Sequence, residues 1–188
     1  MEISLKKLIR DYQYNLETLH DVKEISSVAE GQFRNAMQEE DPEALNALSN
    51  PDAQNNKEDI EETHIDNGPK FKKIFRKAAV KCHPDKLSPE MSDREQSFMK
   101  ECYENLNKAN DNNDWGMLLK VALDLDIEFG GLGPDELNNI SEQIENLKKD
   151  ISKYENSMAY SWYNQNSEEQ KRLYLAECAK IFRKSIGL

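Results

Sequence analysis

The side chains best suited to chemistry in this chain lie together in the stretch Cys82-His83-Pro84-Asp85. A histidine beside a carboxylate is a pair that general acid–base catalysis often uses. Cysteine and histidine are also common zinc ligands. A third option is a stiff turn that presents Asp85 to a partner, because Pro84 restricts its own φ and biases His83 away from the helical region.

The surroundings of this stretch argue against catalysis and against a metal site. His83 and Asp85 flank a proline in a short polar connection, whereas an acid–base pair needs a pocket and usually further partners. The sequence contains no glycine-rich phosphate loop, no G-x-S-x-G and no H-E-x-x-H. Zinc binding by Cys82, His83 and His64 would need a fourth ligand at a suitable spacing, and none is present. We therefore predict a protein-binding loop in a chain that is not an enzyme and uses no cofactor or metal.

A basic amphipathic helix is predicted before this loop, over residues 69–82. Its apolar face consists of Phe71, Ile74, Phe75, Ala78 and Cys82. The segment carries six basic residues, Lys72 included, and no acidic one. An ordinary solvated face would mix charges of both signs, so this concentration favours a binding surface. The basic residues that lie broadly on the other face are Lys70, Lys73, Arg76, Lys77 and Lys81, and we expect the fold to survive when Lys73 and Lys77 are changed to Glu.

Two further helices are predicted after the loop. One begins near Ser88 or Ser92, where Ser92-x-x-Glu95 has the pattern of a capping box. Asp114 is a suitable cap for the other, over 115–127, in which Leu118, Val121, Ala122 and Leu125 form the buried side. The apolar face of the first consists of Phe98, Cys102, Tyr103, Leu106 and Ala109.

The two ends of the chain show longer helical patterns. A stripe of Leu5, Ile9, Tyr12, Leu16 and Leu19 predicts a helix over 3–38, and Asp41-Pro42 predicts a short helix after it. After Pro134, a heptad stripe at Leu137, Ile140, Ile144, Leu147, Ile151, Tyr154 and Met158 continues until "SWYNQN" interrupts it. A last helix opens at the capping box Ser167-x-x-Gln170, with Leu175, Ala179, Phe182 and Ile186 directed inward.

These patterns predict an all-α fold, because no segment has the character of a strand. We divide the chain into an N-terminal helical arm at 1–48, an acidic flexible linker at 49–68, a central helical unit at 69–130, and a C-terminal helical hairpin arm at 134–188. The two arms have the character of coiled coils, and their oligomeric state is left open.

Composition restricts the class of protein further. The chain has 188 residues and a net charge of -11, which opposes general affinity for nucleic acid or anionic membrane. The three cysteines form no C-x-x-C pair, so we expect no disulfide framework and a reducing cytosol. No apolar run approaches the ~20 residues of a membrane span, and "MEISLKKLIRDYQYNL" lacks the apolar region of a signal peptide. We predict a cytoplasmic protein.

The central unit resembles the J-domain co-chaperones of DnaJ type. The resemblance is carried by His83-Pro84-Asp85, the Lys86 that follows, the preceding "FKKIFRKAAVKC" and the later "SFMKECYENLNKA". These stretches are similar to the family's basic second helix, its HPD loop and its third helix. The resemblance covers about residues 69–110. The family's usual first helix, with its Tyr and Leu-Gly motif, is absent just upstream, and the helix over 115–127 is expected to give packing support in its place.

The resemblance implies docking on a DnaK-type ATPase chaperone. The basic helix, with Lys70, Lys73, Arg76, Lys77 and Lys81, would dock on an acidic surface of the chaperone. Asp85 would engage a basic group, while His83 and Pro84 shape the loop. The chaperone's ATP hydrolysis would accelerate, and the helical arms are candidates for carrying a client protein or for dimerising.

Two other classes of function are kept as alternatives. One is a structural or scaffolding coiled-coil protein with a degenerate J-like hairpin and no chaperone partner. This class would be favoured if Lys73, Lys77 and Asp85 were buried or paired within the chain. The other is nucleic-acid binding through the basic helix, which the surrounding negative charge opposes.

Overall fold

The computed structural model describes residues 2–43, 45 and 68–185. Within these residues it contains only helices and no strand, which confirms the predicted all-α class. The predicted linker at 49–68, apart from Gly68, lies outside the described residues, as do His64 and Ile186. The α-helices are α1 (Glu2–Glu40), α2 (Pro69–Cys82), α3 (Asp93–Asp111), α4 (Trp115–Asp124), α5 (Pro134–Glu155), α6 (Met158–Tyr163) and α7 (Glu168–Ser185), and a 3₁₀ turn at Pro84–Lys86 follows α2.

The end of α2 and the starts of α3 and α4 lie where the sequence predicts them. Helix α2 ends at Cys82, and His83 before the proline takes the extended values φ -59° and ψ 135°. Helix α3 begins after Ser92, whose side chain and that of Glu95 form the predicted capping box. Of the two predicted starts, Ser92 is therefore confirmed, and Ser88 lies in the preceding turn. Asp114 caps α4 by accepting a hydrogen bond from the Met117 N–H.

The predicted continuous heptad helix from Leu137 to Met158 is wrong at its end. Helix α5 ends at Glu155, and a separate helix begins at Met158. The cause is Ser157, whose hydroxyl accepts from the Tyr160 N–H at 3.2 Å and caps the new helix. The break therefore comes before "SWY", whose three residues are helical rather than interrupting.

The described chain groups into two compact units, and helices α1 and α5 contribute residues to both. The first unit comprises residues 1–16 and 62–147, and the second comprises residues 17–61 and 148–188. The four-segment division made from the sequence stays a prediction.

The first unit has one apolar core to which α1, α2, α3, α4 and α5 all contribute. Phe71 of α2 packs edge-on against Trp115 of α4, with ring centroids 5.2 Å apart. Leu106 of α3 and Ile140 of α5 are fully buried in the same core. Helix α4 packs against both α2 and α3. It ends at Asp124, before the end at residue 127 that the sequence predicts. Phe98, predicted on the apolar face of α3, is instead 41% exposed.

The position of α1 in this unit depends on Tyr12. Its ring lies against Gly116 at the start of α4, where an added Cβ would come within 2.3 Å of the ring. Its hydroxyl donates to Asp114 Oδ2 at 2.7 Å. Burial of the ring, together with the adjacent Asp114 carboxylate, raises the pKa of Tyr12 far above its usual range, so the hydroxyl stays a donor.

The second unit has a separate core formed by Met37, Trp162, Leu175, Cys178, Ala179 and Phe182. Phe33 of α1 meets Trp162 of α6 edge-on at 5.7 Å. The Arg183 guanidinium donates to the buried carboxylate of Asp41 at 2.5 Å, and this contact raises the pKa of Arg183. Among all the helices that the structure describes, none combines the length and the apolar composition needed to cross a bilayer.

Replacing Gly116 with Ala is expected to destabilise the first unit, because the new methyl group would collide with the Tyr12 ring. We expect a loss of about 1–3 kcal/mol in the free energy of unfolding, the usual cost of overpacking. Gly31→Ala is the matched control, since nothing lies within 4 Å of the added Cβ in α1. That substitution should stabilise the helix by about 0.5–1 kcal/mol. Urea denaturation of both variants checks the prediction, and equal effects would contradict it.

Candidate protein-binding site

The turn after α2 is fixed by its own main-chain and side-chain hydrogen bonds. The Lys86 N–H donates to the His83 carbonyl at 2.9 Å, and the Leu87 N–H donates to the Pro84 carbonyl at 3.1 Å. The Asp85 N–H donates to His83 Nδ1 at 3.2 Å. At the tip of this turn the Asp85 side chain is 88% exposed. The turn thus presents a carboxylate from a constrained backbone.

His83 is positioned from the side of α3. Its ring packs edge-on against Tyr103, with centroids 5.3 Å apart. Its Nδ1 lies 3.5 Å from Asp85 Oδ2 as well as facing the Asp85 N–H. Tyr103 therefore limits the position of the imidazole, and the imidazole in turn limits the position of Asp85.

The remainder of the connection is tied to the first turn of α3. Gln96 donates from Nε2 to the Met91 carbonyl at 3.2 Å and to the Ser88 carbonyl at 3.4 Å. The Ser92 N–H donates to Glu95 Oε2 at 2.9 Å. Hydrogen bonds from the Ser92 hydroxyl and main chain lower the pKa of Glu95, so its carboxylate remains a charged acceptor.

The basic residues of α2 fall into two sets with different surroundings. Lys73 and Arg76 are exposed, and no partner is recorded for either within the described residues. Val80 lies on the same side of the helix and is 59% exposed. Lys86, also exposed, extends the positive charge into the turn. These residues face solvent on α2 and on the turn that follows it.

The second set contacts the segment 125–131 that follows α4. Lys70 donates to the Gly131 carbonyl at 2.5 Å, Lys77 donates to the Glu128 carbonyl at 3.0 Å, and Lys81 donates to the Leu125 carbonyl. Lys70 also lies 3.4 Å from Glu136 Oε1. From Lys70 to Lys81 along α2, the carbonyl that each lysine contacts moves back along the segment from Gly131 to Leu125. The segment therefore runs alongside α2 in the opposite direction.

The two cysteines near the turn are buried thiols. Burial raises the pKa of Cys82, and it raises the pKa of Cys102 to about 11. Both side chains are therefore protonated at neutral pH and pack in the core of the first unit. Among the residues with described positions, no group of three or more His, Cys, Asp or Glu side chains is arranged to hold a metal ion.

The structure brings together His83, Pro84, Asp85 and Lys86 in one turn, with Lys73 and Arg76 on the adjoining helix. The sequence also predicts three further lysines on this surface. In the structure each of them donates a hydrogen bond to a main-chain carbonyl of the same chain; they are Lys70, Lys77 and Lys81. Reasoning from the sequence placed Tyr103 on an apolar face but missed its contact with His83. It also missed the 125–131 segment, because main-chain carbonyls accept hydrogen bonds without any side-chain signature.

No family model matches the sequence, and the searches of curated proteins and of solved structures found no match either.

Lys77→Glu is expected to lower stability, although the sequence predicts that the fold tolerates this change. A carboxylate at this position would replace a donor to the Glu128 carbonyl with an acceptor. For an exposed contact, we expect a loss of about 0.5–1 kcal/mol in the free energy of unfolding. Lys73→Glu introduces the same charge change at an exposed position on the same helix and should leave stability within about 0.5 kcal/mol of wild type. Equal unfolding midpoints for the two variants would contradict the division of the basic residues into two sets.

Proposed function

We propose that this protein is a J-domain-type co-chaperone that docks on a DnaK-type ATPase chaperone and stimulates its ATP hydrolysis. The observation that supports this function best is the turn at residues 83–87. Main-chain hydrogen bonds constrain the backbone of this turn, yet the Asp85 side chain is 88% exposed. A buried or internally capping aspartate would have favoured a structural role for the turn.

The charge distribution around Asp85 supports a partner with both acidic and basic groups. Lys73, Arg76 and Lys86 are exposed cations of α2 and the turn, and Asp85 is an exposed carboxylate of the same turn. An acidic surface on the chaperone would meet α2, and a basic group on the chaperone would meet Asp85. Contacts between exposed charges are screened by salt, so the association should be fast, weak and sensitive to ionic strength.

Helix α2 itself supports docking as a rigid body. Its apolar residues Phe71, Ile74, Ala78 and Cys82 are buried in the core of the first unit. Its exposed cations are therefore presented from a helix whose position is set by packing, which lowers the ordering cost of binding. The DnaK-type chaperone would perform the hydrolysis, and this chain would act by contact.

A structural role without a chaperone partner is the second candidate. The observation that favours it is that Lys70, Lys77 and Lys81 donate hydrogen bonds within the chain. In that function the basic helix would serve to bind the 125–131 segment. The exposure of Lys73, Arg76 and Asp85 has no role in this alternative, which is why we prefer the co-chaperone.

Asp85→Asn is expected to reduce stimulation of the chaperone's ATP hydrolysis about tenfold or more, measured at concentrations of this protein that do not saturate the chaperone. The substitution keeps the size of the side chain and removes its charge, and a charge-assisted contact contributes roughly 1.5–3 kcal/mol. Single-turnover hydrolysis by a DnaK-type chaperone measures the effect. Melting should stay close to wild type, because the carboxylate is exposed.

Asp111→Asn is the matched control, since it removes the same charge from an exposed position at the end of α3. It should retain full stimulation. An Asp85→Asn variant that stimulates as well as wild type would contradict the co-chaperone mechanism. A large fall in its melting temperature would instead favour the structural role of the turn.

A further inference from the structure

A half-open cavity of about 610 Å³ lies in the first unit and uses the 125–131 segment as one wall. The other walls come from the start of α1, the end of α4 and the start of α5. Ligand pockets in proteins usually measure roughly 300–1,000 Å³, so this cavity has a sufficient size for several side chains of a partner. Its lining is largely apolar and includes Leu5, Ile9, Leu123, Ile127, Phe129 and Leu132.

The cavity is separate from the surface proposed to dock on the chaperone. Helix α2 and the 83–87 turn contribute no residue to its lining. The wall at 125–131 receives hydrogen bonds from Lys70, Lys77 and Lys81, which fix its carbonyls in place. A partner in the cavity and a chaperone on Asp85 would therefore contact different side chains of this protein.

Two features of the cavity indicate the chemistry of its occupant. Leu123 lines it and is 41% exposed, so an apolar side chain already faces solvent there. Asp126 and Glu128 are exposed lining residues and make its charge locally negative. Lys6 is the cation of the lining and has an interaction of its own. An occupant needs apolar groups beside a positive charge.

The wall is open beside its two glycines. A Cβ added to Gly130 or Gly131 would meet no atom within 4 Å, so there is unoccupied space at this part of the wall. An extended peptide can place one side chain in the cavity and its neighbour in this space, because successive side chains of an extended chain point to opposite sides. The protein's own stretch at 49–68 is a poor occupant by charge, since it has six acidic residues and one lysine.

We propose that this cavity binds a peptide segment of another protein, with its apolar side chains inside and an adjacent Lys or Arg beside Asp126 and Glu128. The binding site is argued from the cavity alone. Only the further identification of that segment as an exposed part of a chaperone client rests on the proposed function.

The direct test is fluorescence anisotropy with short labelled peptides and this protein alone. One peptide has a leucine and phenylalanine core flanked by arginines. The second has the same core flanked by glutamates, and the third has arginines around a serine core. We expect the first to bind, and the other two to bind about tenfold more weakly, since each lacks one of the two required features. Equal binding of all three, tightest binding of the glutamate peptide, or no binding of the first would overturn the proposal.

Two pairs of variants locate the binding. Leu123→Ser should weaken binding of the first peptide about fivefold, whereas Phe98→Ser, at a position of the same 41% exposure outside the cavity, should not.

The second pair tests the acidic residues of the lining. Asp126→Asn with Glu128→Gln should weaken binding of the first peptide about threefold to tenfold. Glu104→Gln with Asp111→Asn removes two exposed charges from α3 as the control. Asp126 has φ 51°, a value that asparagine tolerates.

Identical affinities within either pair would place the peptide elsewhere and overturn the proposal. The outcome is independent of the proposed co-chaperone activity, because no chaperone is present in the binding assay. Peptide binding without ATPase stimulation would contradict only the proposed function. Stimulation without peptide binding would contradict only the cavity site.

Discussion

The buried contact of Tyr12 with Gly116 and Asp114 is the interaction on which the first unit depends. It joins residues 102 positions apart and brings the start of α1 to the start of α4. Gln143 of α5 reaches the same place, accepting from the Gly116 N–H at 3.0 Å and donating to the Asn113 carbonyl at 3.2 Å. Because a buried hydroxyl without a partner is costly, the Asp114 carboxylate supports this packing together with the ring. Three helices from distant parts of the sequence are thereby held at one turn.

The candidate site depends on this contact indirectly. Helix α4 packs against α2 and α3, and it is followed by the segment whose carbonyls accept from three lysines of α2. Helix α3 provides Tyr103 against His83. The exposed turn is therefore constrained by elements that are themselves fixed through the core. The same arrangement gives this unit a well-packed core, since residues 5–16 contribute apolar side chains to it.

Local features of the structure were predictable from the sequence because they depend on neighbouring residues. Proline at position 84 ends α2, and the capping residues Ser92 and Asp114 set the starts of α3 and α4. Features that depend on tertiary packing were not. The periodicity of α5 concealed the break at Ser157, because one cap outweighs a stripe that continues past it. The spacing of basic residues on α2 gave no means of separating Lys77, which meets a main-chain carbonyl, from Lys73, which faces solvent. The cavity likewise combines residues of α1 with residues of the distant stretch 123–137, and no short motif signals it.

We propose that the turn at 83–87 and the solvent-facing side of α2 form a docking surface, while the 125–131 segment has a structural role beside it. Hydrogen–deuterium exchange of this protein, with and without an ATP-bound DnaK-type chaperone, tests this claim most directly. We expect the chaperone to slow exchange in peptides covering residues 83–92 and to leave exchange at 125–133 unchanged. Unchanged exchange at 83–92 under conditions where the two proteins associate, or protection confined to 125–133, would contradict it.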